Sequence, residues 1–240
     1  MTPPDLVQAF DSVMKGRYAN RFFTDQPVPY DTVHDILEAA SYAPSGANIQ
    51  PWQIHVLAGQ AKADICRDIS ATHAREAAQH ASEYTYYAPD LPDLYQGRKQ
   101  EFGRVFYGAL GIAQDDAAGR AAQTAKNYQF FGAPVGLIVT IDRRLEKGSW
   151  LDLGMFLQNV MLAAKVRGLD TCPQETLAKY HRVLRRHLPI APEDVVVCGM
   201  ALGVRDAALA ARRGVMERAP VEAFASFHGF EAPPARDTGE

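Results

Sequence analysis

The sequence predicts an α+β domain, and three observations predict it. Apolar residues recur at helical spacing in several segments, short apolar runs between them read as strands, and no repeat or linker divides the 240 residues. A chain of that length can bury one substantial core. The domain is expected over residues 1–230, because the closing stretch EAPPARDTGE (231–240) has the composition of a loose tail.

The first helix sets Leu6, Phe10, Val13 and Met14 on one face and ends near Gly16, delivering RYANRFFTDQPVP into an extended segment. A second helix is expected from about Asp31 to Ser41, with Val33, Ile36, Leu37 and Ala40 inward and Asp31 as its cap. The loop YAPSGANIQPW follows, and WQIHVLA then alternates as a strand. Residues 60 to 132 read mostly as helix. Within them EYTYYAPDLPDLYQGRKQEFGRVFYGALGI is dense in tyrosine and broken by two prolines, as an excursion or lid would be. PVGLIVTID is the strongest strand, apolar and rich in β-branched residues. A long amphipathic helix carries Leu153, Phe156, Leu157, Val160, Met161 and Ala164 in register and closes at Gly168. After LDTCPQE comes a further helix with Leu177, Tyr180, His181 and Leu184 on a face, and VVVCGMALG is a last buried strand.

Composition excludes several function classes. With a net charge of −3 and no banded basic face, the chain has no global attraction for nucleic acid or anionic membrane, and neither is expected as a partner. No segment approaches the ~20 apolar residues of a membrane helix, and the N-terminus lacks a secretory pattern. Cys66, Cys172 and Cys198 are odd in number and widely spaced, which suits a reducing compartment; a soluble cytoplasmic protein is expected. Neither GxGxxG nor GxxxxGK[ST] occurs, no GxSxG elbow marks a serine nucleophile, and no two histidines stand at metal-ligand spacing. No metal is expected. His181 and His187 read as helix-surface or packing residues, and nothing beside Cys172 in the sequence would lower its thiol pKa.

What remains is a set of features suited to anions and planar ligands. Arg17 and Arg21 are four apart, and a continued helical turn would put both guanidinium groups on one side, where forked donors suit a phosphate. An isolated Arg-x-x-x-Arg is equally a pair of solvated arginines. The loop after the second helix crowds Ser45, Gly46, Asn48 and Gln50 before a strand. By itself that is also a plain turn, with Ser45 and Asn48 capping local backbone.

Taken together, GRYANRFFTDQPVP, then APSGANIQPW about twenty-five residues on, then GLDTCPQE resemble the FMN-dependent nitroreductase family. They correspond to that family's Arg-Arg-Ser-x-Arg-x-Phe opening, its Ala-Pro-Ser-x-x-Asn-x-Gln-Pro-Trp loop and its Gly-Leu-x-Thr-x-Pro-x-x segment. Order and spacing match, and the resemblance runs from about Val13 to Phe230. RKQEFGRVFYGALGI, KNYQFFGAPVGLIVTID and WLDLGMFLQNVMLAAKVRGLDTCPQ further resemble a subgroup acting on nitrobenzene- and nitrobenzoate-type aromatics.

The resemblance implies a mixed sheet wrapped by helices and an intertwined homodimer with FMN at the subunit interface. Arg17 matches a position that grips the flavin phosphate, with Tyr18 and Ala19 beside it. Arg21 matches one reaching the phosphate or the pyrimidine edge, and Arg218 a second phosphate-binding arginine. Pro44, Ser45, Gly46 and Asn48 match the loop that meets the flavin from the partner subunit, with Gly46 letting the backbone come close. Pro173, Gln174 and Glu175 match the segment along the isoalloxazine, where a backbone N–H usually faces N5; Glu175 reads equally as a helix-start carboxylate. Trp150 matches an aromatic near the ring or simply begins a buried helix. Ala19 stands where the family commonly has Ser, and Thr176 where some relatives have Gly.

The activity so implied is ping-pong reduction of a nitroaromatic, nitro to nitroso to hydroxylamine, with NADPH or NADH as co-substrate. FMN N5 carries the chemistry and no catalytic side chain is required. A quinone or free-flavin reductase, a dehalogenase-like relative and a non-catalytic flavin-binding module share the same cofactor site and stay open as alternatives.

Overall fold

The two strands that the sequence marks most strongly pair at the centre of the molecule. β2 (Val135–Asp142) and β4 (Asp194–Gly203) lie antiparallel, flanked by β1 (Gln53–Leu57) on β2 and β3 (Asp170–Gln174) on β4, so the sheet order is β1-β2-β4-β3. The structure is a computed structural model describing residues 4–230; the expected tail at 231–240 lies outside the described residues. Both faces of β2 and β4 are covered, which is why they are continuously apolar instead of alternating. All strand pairs are antiparallel. An isolated parallel bridge, Ala19↔Thr171, lies outside the named strands, beside the β3 edge.

Alternate residues of β2 enter different cores, as a pleated strand requires. Leu137, Val139 and Ile141 join Val33, Ile36 and Ala40 of α2 (Tyr30–Ala40) and Leu153, Phe156 and Val160 of the long helix at 147–166. Ile138 faces the second core, with Ile65 and Ile69 of α3 (Gly59–Glu76), Phe130, Leu177 and Leu184. The chain between the cores forms α4 (Asp93–Ala109) and α5 (Ala117–Ala125). α4 starts directly after Pro92, which cannot continue a preceding helix and presets an extended entry. α5 is capped by Asp116, whose carboxylate accepts the Gly119 N–H at 2.8 Å. The long helix is α6 (Lys147–Val166) and it closes as the sequence predicts: Gly168 takes φ +76° and the Leu169 N–H returns to the Ala164 carbonyl at 3.0 Å.

Four sequence expectations need correction. Asp31 does not cap α2; Pro29 occupies that position and no side chain bonds the helix end. β1 shows no clean alternation of burial. β3 is a strand that the pattern did not announce, because DTCPQ carries a proline, and proline is tolerated only where no ladder donor is needed, as on this edge. The helix expected after it divides into a 3-10 segment, Glu175–Tyr180, and α7 (His181–His187). α1 (Pro4–Gly16) forms as expected, yet its apolar face is open: Leu6 is 58% exposed, Phe10 56% and Met14 46%. Among the described residues no helix is long and apolar enough to cross a membrane.

Candidate functional site

α1 stops at Gly16 and the backbone beyond it is not helical, so Arg17 and Arg21 do not share a helical turn. The edge of β3 brings them together instead. Ala19 bridges Thr171, and the Asn20 N–H donates to the Thr171 carbonyl at 2.9 Å. Asn20 is fully buried, and its side chain holds the Phe22 backbone through a bond of 2.8 Å to the carbonyl and one of 3.3 Å from the N–H. A polar side chain so placed fixes the strap at 17–24 against the sheet.

Arg17, Tyr18, Ala19 and Arg21 line one side of an open cleft of about 1480 Å³. α4 supplies another side through Phe102 and Phe106, and the segment from Arg212 to Pro220 a third, including Arg218. Five of the sequence-predicted residues are therefore gathered in one place. Partial burial, and then the charge of Arg218, hold the Arg17 guanidinium below its usual pKa, so the two cations feel one another. The Arg21 guanidinium lies 4.5 Å from the centre of the Phe106 ring and donates to the Ala19 carbonyl at 3.3 Å. Phe106 is itself stacked on Phe102 at 5.5 Å. Among the described residues no carboxylate oxygen lies within 4.0 Å of a nitrogen of Arg17, Arg21 or Arg218. Uncompensated guanidinium groups crowded into a cleft make an anion site.

The β3 residues do not line this cleft. Pro173 is exposed, whereas Gln174 is buried, its amide donating to the Asn127 carbonyl at 2.7 Å. The Gln174 Oε1 is buried without a partner, an acceptor that the fold leaves open. Glu175 accepts from the Ser82 hydroxyl at 3.1 Å. Burial pushes the Cys172 thiol up to about 11.

The Pro44–Asn48 loop and Trp150 lie outside the cleft of this chain. Ser45 Oγ accepts the Gln50 N–H at 3.1 Å, so in one chain its hydroxyl serves the local turn. Within one chain, neither a positive φ nor crowding calls for glycine at Gly46. The left-handed residues are Ala47 (φ 49°), Asn48 (φ 57°) and Gln50 (φ 49°), and a Cβ at Gly46 would find its nearest neighbour 3.9 Å away. Three non-glycine residues in that region are a local cost that a functional loop commonly carries. The loop is tied down by Asp152, which accepts the Gly46 N–H at 3.1 Å. Trp150 is half-buried, with its ring 4.9 Å from Tyr84, and packs as the opening of α6.

Sequence reasoning missed Asp152, whereas Phe102 and Phe106, which line the cleft, belong to the tyrosine-rich excursion that the sequence marks as a pocket wall or lid, or as interface packing. Asp152 had a signal: a carboxylate one residue before Leu153 on an otherwise apolar helix is buried only if something bonds it.

Comparison with known proteins gives a consistent picture. Residues 14–204 match the model of the Nitroreductase family. The chain is 39% identical over 226 residues to 4-nitrobenzoate reductase of Pseudomonas putida, covering 94% of this chain and 98% of that one. It is 42% identical over 222 residues to chloronitrobenzene nitroreductase of Comamonas testosteroni, covering 90% and 96%. The crystal structure of the FMN and NADPH-dependent nitroreductase NfnB from sphigopyxis sp. strain HMH superposes with a TM-score of 0.88 at 35% identity, over 92% of this chain and 99% of that one.

Proposed function

The chain belongs to the nitroreductase family, and from that premise we propose that it is an FMN-dependent NAD(P)H oxidoreductase that reduces nitroaromatic compounds. The observation that carries the reading is the convergence of Arg17, Arg21 and Arg218 on one cleft without a carboxylate partner among the described residues. The residues fit the cofactor. Two neighbouring guanidinium groups, one of them partly desolvated, are relieved by a phosphate that is close to a dianion.

Bound FMN would supply the two-electron chemistry, passing electrons from the nicotinamide to the nitro group in alternating half-reactions. Arg17 and Arg218 hold the phosphate, with Tyr18 and Ala19 between the arginine positions of the strap. Arg21, fixed on Phe106, offers a cation for negative charge that builds up on the ring. Phe102 and Phe106 give a flat acceptor an aromatic wall. No side-chain acid is assigned, since the cleft is open and water can deliver protons.

The assembly is a homodimer, and one domain spans residues 1–230. Pro44, Ser45, Gly46, Asn48 and Trp150 serve the cleft of the partner subunit, while Pro173, Gln174 and Glu175 serve the ring side of the cofactor. This is supported by the open apolar face of α1 and by Val215, Val221, Phe224, Phe227 and Phe230, exposed along the C-terminal segment. Cys66, Cys172 and Cys198 are free and buried, which supports a cytoplasmic setting.

One cuvette tests the reading. The purified protein is expected to show flavin bands that bleach on anaerobic NADPH or NADH and return on 4-nitrobenzoate. Bleaching without return removes the nitro acceptor. Absence of flavin bands after FMN is added removes the cofactor.

A further inference from the structure

The cleft holds more positive charge than one phosphate requires. Besides Arg17, Arg21 and Arg218 it is lined by Arg98, Arg212 and Arg213, and among the described residues none of these three has a carboxylate oxygen within 4.0 Å. Of its four acidic residues, Asp11 is engaged with Lys15 at 2.7 Å and Glu101 with Arg104 at 2.6 Å, and the other two, Asp93 and Glu217, are outnumbered by the six arginines named above.

Arg213 is the best positioned of the three. Its guanidinium carbon lies 4.0 Å from the centre of the Tyr18 ring. Lys165 lies 5.7 Å from that ring, and Arg205 stands near enough to Tyr18 for the phenol to support its charge. Both cations are anchored to the buried Asp170, Lys165 at 2.7 Å and Arg205 at 3.6 Å. A stacked guanidinium presents its face to the ring and keeps its forked N–H donors free in the plane. The next residue, Gly214, lies hard against α4: a Cβ there would meet the Val105 carbonyl oxygen at 2.8 Å. The backbone beside Arg213 is thus fixed against α4 while its guanidinium rests over an aromatic ring, an arrangement that lowers the ordering cost of binding.

We propose that Arg213, assisted by Arg98 and Arg212, forms a second oxyanion subsite that recognises the ligand exchanging at the cofactor, separate from the Arg17–Arg218 pair. The inference rests on the reading of the cleft as the flavin site. The oxyanion belongs either to the extra ribose phosphate that distinguishes NADPH from NADH or to the carboxylate of a nitrobenzoate, and one planar donor fork suits both.

The test uses the flavin-loaded protein, with Arg213→Ala and Arg213→Lys variants checked for thermal melting and flavin content. Calorimetric titration gives dissociation constants for NADP⁺ and NAD⁺, and steady-state assays give KM for 4-nitrobenzoate and nitrobenzene. A charged hydrogen-bonding group corresponds to roughly a tenfold or greater preference. If the phosphate is the ligand, the wild type prefers NADP⁺ by that factor, and Arg213→Ala brings the two constants within about threefold. If the carboxylate is the ligand, the loss falls on 4-nitrobenzoate and spares nitrobenzene. Arg213→Lys, which keeps the charge without the fork, falls between wild type and alanine in either case. Preferences that are absent from the wild type, or unchanged in Arg213→Ala, overturn the proposal. So does loss of flavin from Arg213→Ala, since Arg213 would then belong to the phosphate site already described. A wild-type protein that takes up no flavin sinks the underlying reading itself.

Discussion

The Gly46 backbone N–H donates to Asp152 Oδ2 at 3.1 Å, joining the Pro44–Asn48 loop to the second turn of α6 across 106 residues of sequence. This bond holds a loop in which Ala47, Asn48 and Gln50 are all left-handed. Asp152→Ala is expected to cost about 1.5–3 kcal/mol, the range for a hydrogen bond to a charged group. Asp152→Asn, which keeps an acceptor, recovers part of it. Denaturant unfolding measures the cost, and hydrogen exchange at Gly46 locates it.

Arg218 and Arg17 share their surroundings closely enough for one to lower the pKa of the other. Removing Arg218 therefore relieves repulsion in the free protein while deleting a phosphate partner in the bound one. Arg218→Ala is expected to weaken FMN binding roughly 10–100-fold without lowering the melting temperature of the flavin-free protein. Fluorescence titration at two salt concentrations checks it, and the salt dependence should be shallower in the variant.

The exposed face of α1 carries Leu6, Phe10 and Met14. If a second copy covers this face, a Leu6→Glu and Phe10→Glu pair is expected to sediment as monomer. It should lose flavin as well, because the partner's loop would no longer complete the site. A variant that stays dimeric and yellow removes α1 from the interface.

Glu83 links the start of the tyrosine-rich segment to α7 and the end of β2, with Arg143 at 3.0 Å and Arg185 at 3.1 Å. Burial would raise its pKa, but hydrogen bonds and charge from Arg143, His181 and Arg185 prevail and hold it below the ordinary glutamate value. A carboxylate with a depressed folded-state pKa stabilises above its unfolded pKa and loses that contribution as pH falls through the folded value. Glu83→Gln should therefore be less stable than wild type at pH 7, on the order of 1 kcal/mol for a partly exposed ion network. The difference should begin to narrow near the unfolded glutamate pKa of about 4.3 and close only below the folded value. Urea unfolding at several pH values follows the gap.

Phe130 is fully buried with φ 50°, and its ring lies where a Cβ at Gly136 would come within 2.7 Å. The ring has nowhere to retreat. Gly136→Ala is expected to destabilise the protein by about 1–3 kcal/mol through overpacking, while FMN affinity per folded molecule stays unchanged. Thermal unfolding with flavin titration separates the two.

Much of this molecule follows from local rules. The apolar runs of β2 and β4, the stripes of α1, α2 and α6 and the glycine closing α6 are periodicities and turn chemistry that act over a few residues, and they read directly from the sequence. β3 did not, because a strand containing Pro173 is acceptable only at an edge, and being an edge is a property of the whole sheet. The cap of α2 failed for a smaller reason of the same kind: the entry is set by Pro29, and Asp31 already lies inside the helix.

The site divides in the same way. The residue types and spacing of Arg17, Arg21, Ser45, Asn48 and Pro173, with their resemblance to a known family, were determined by the sequence alone. Which of them share a cleft was decided by the tertiary structure. Arg17 and Arg21 meet through the β3 edge and not through a helical turn, Arg218 joins them from two hundred residues away, and the loop at Pro44–Asn48 is carried off by its bond to Asp152. The contacts of Arg21 with Phe106 and of Arg213 with Tyr18 were likewise decided by the fold, since these partners belong to segments that only the packed chain brings near. Pattern and propensity are short-range and survive in the sequence. Charge convergence depends on distances between elements far apart in the chain, and these exist only once the core has formed.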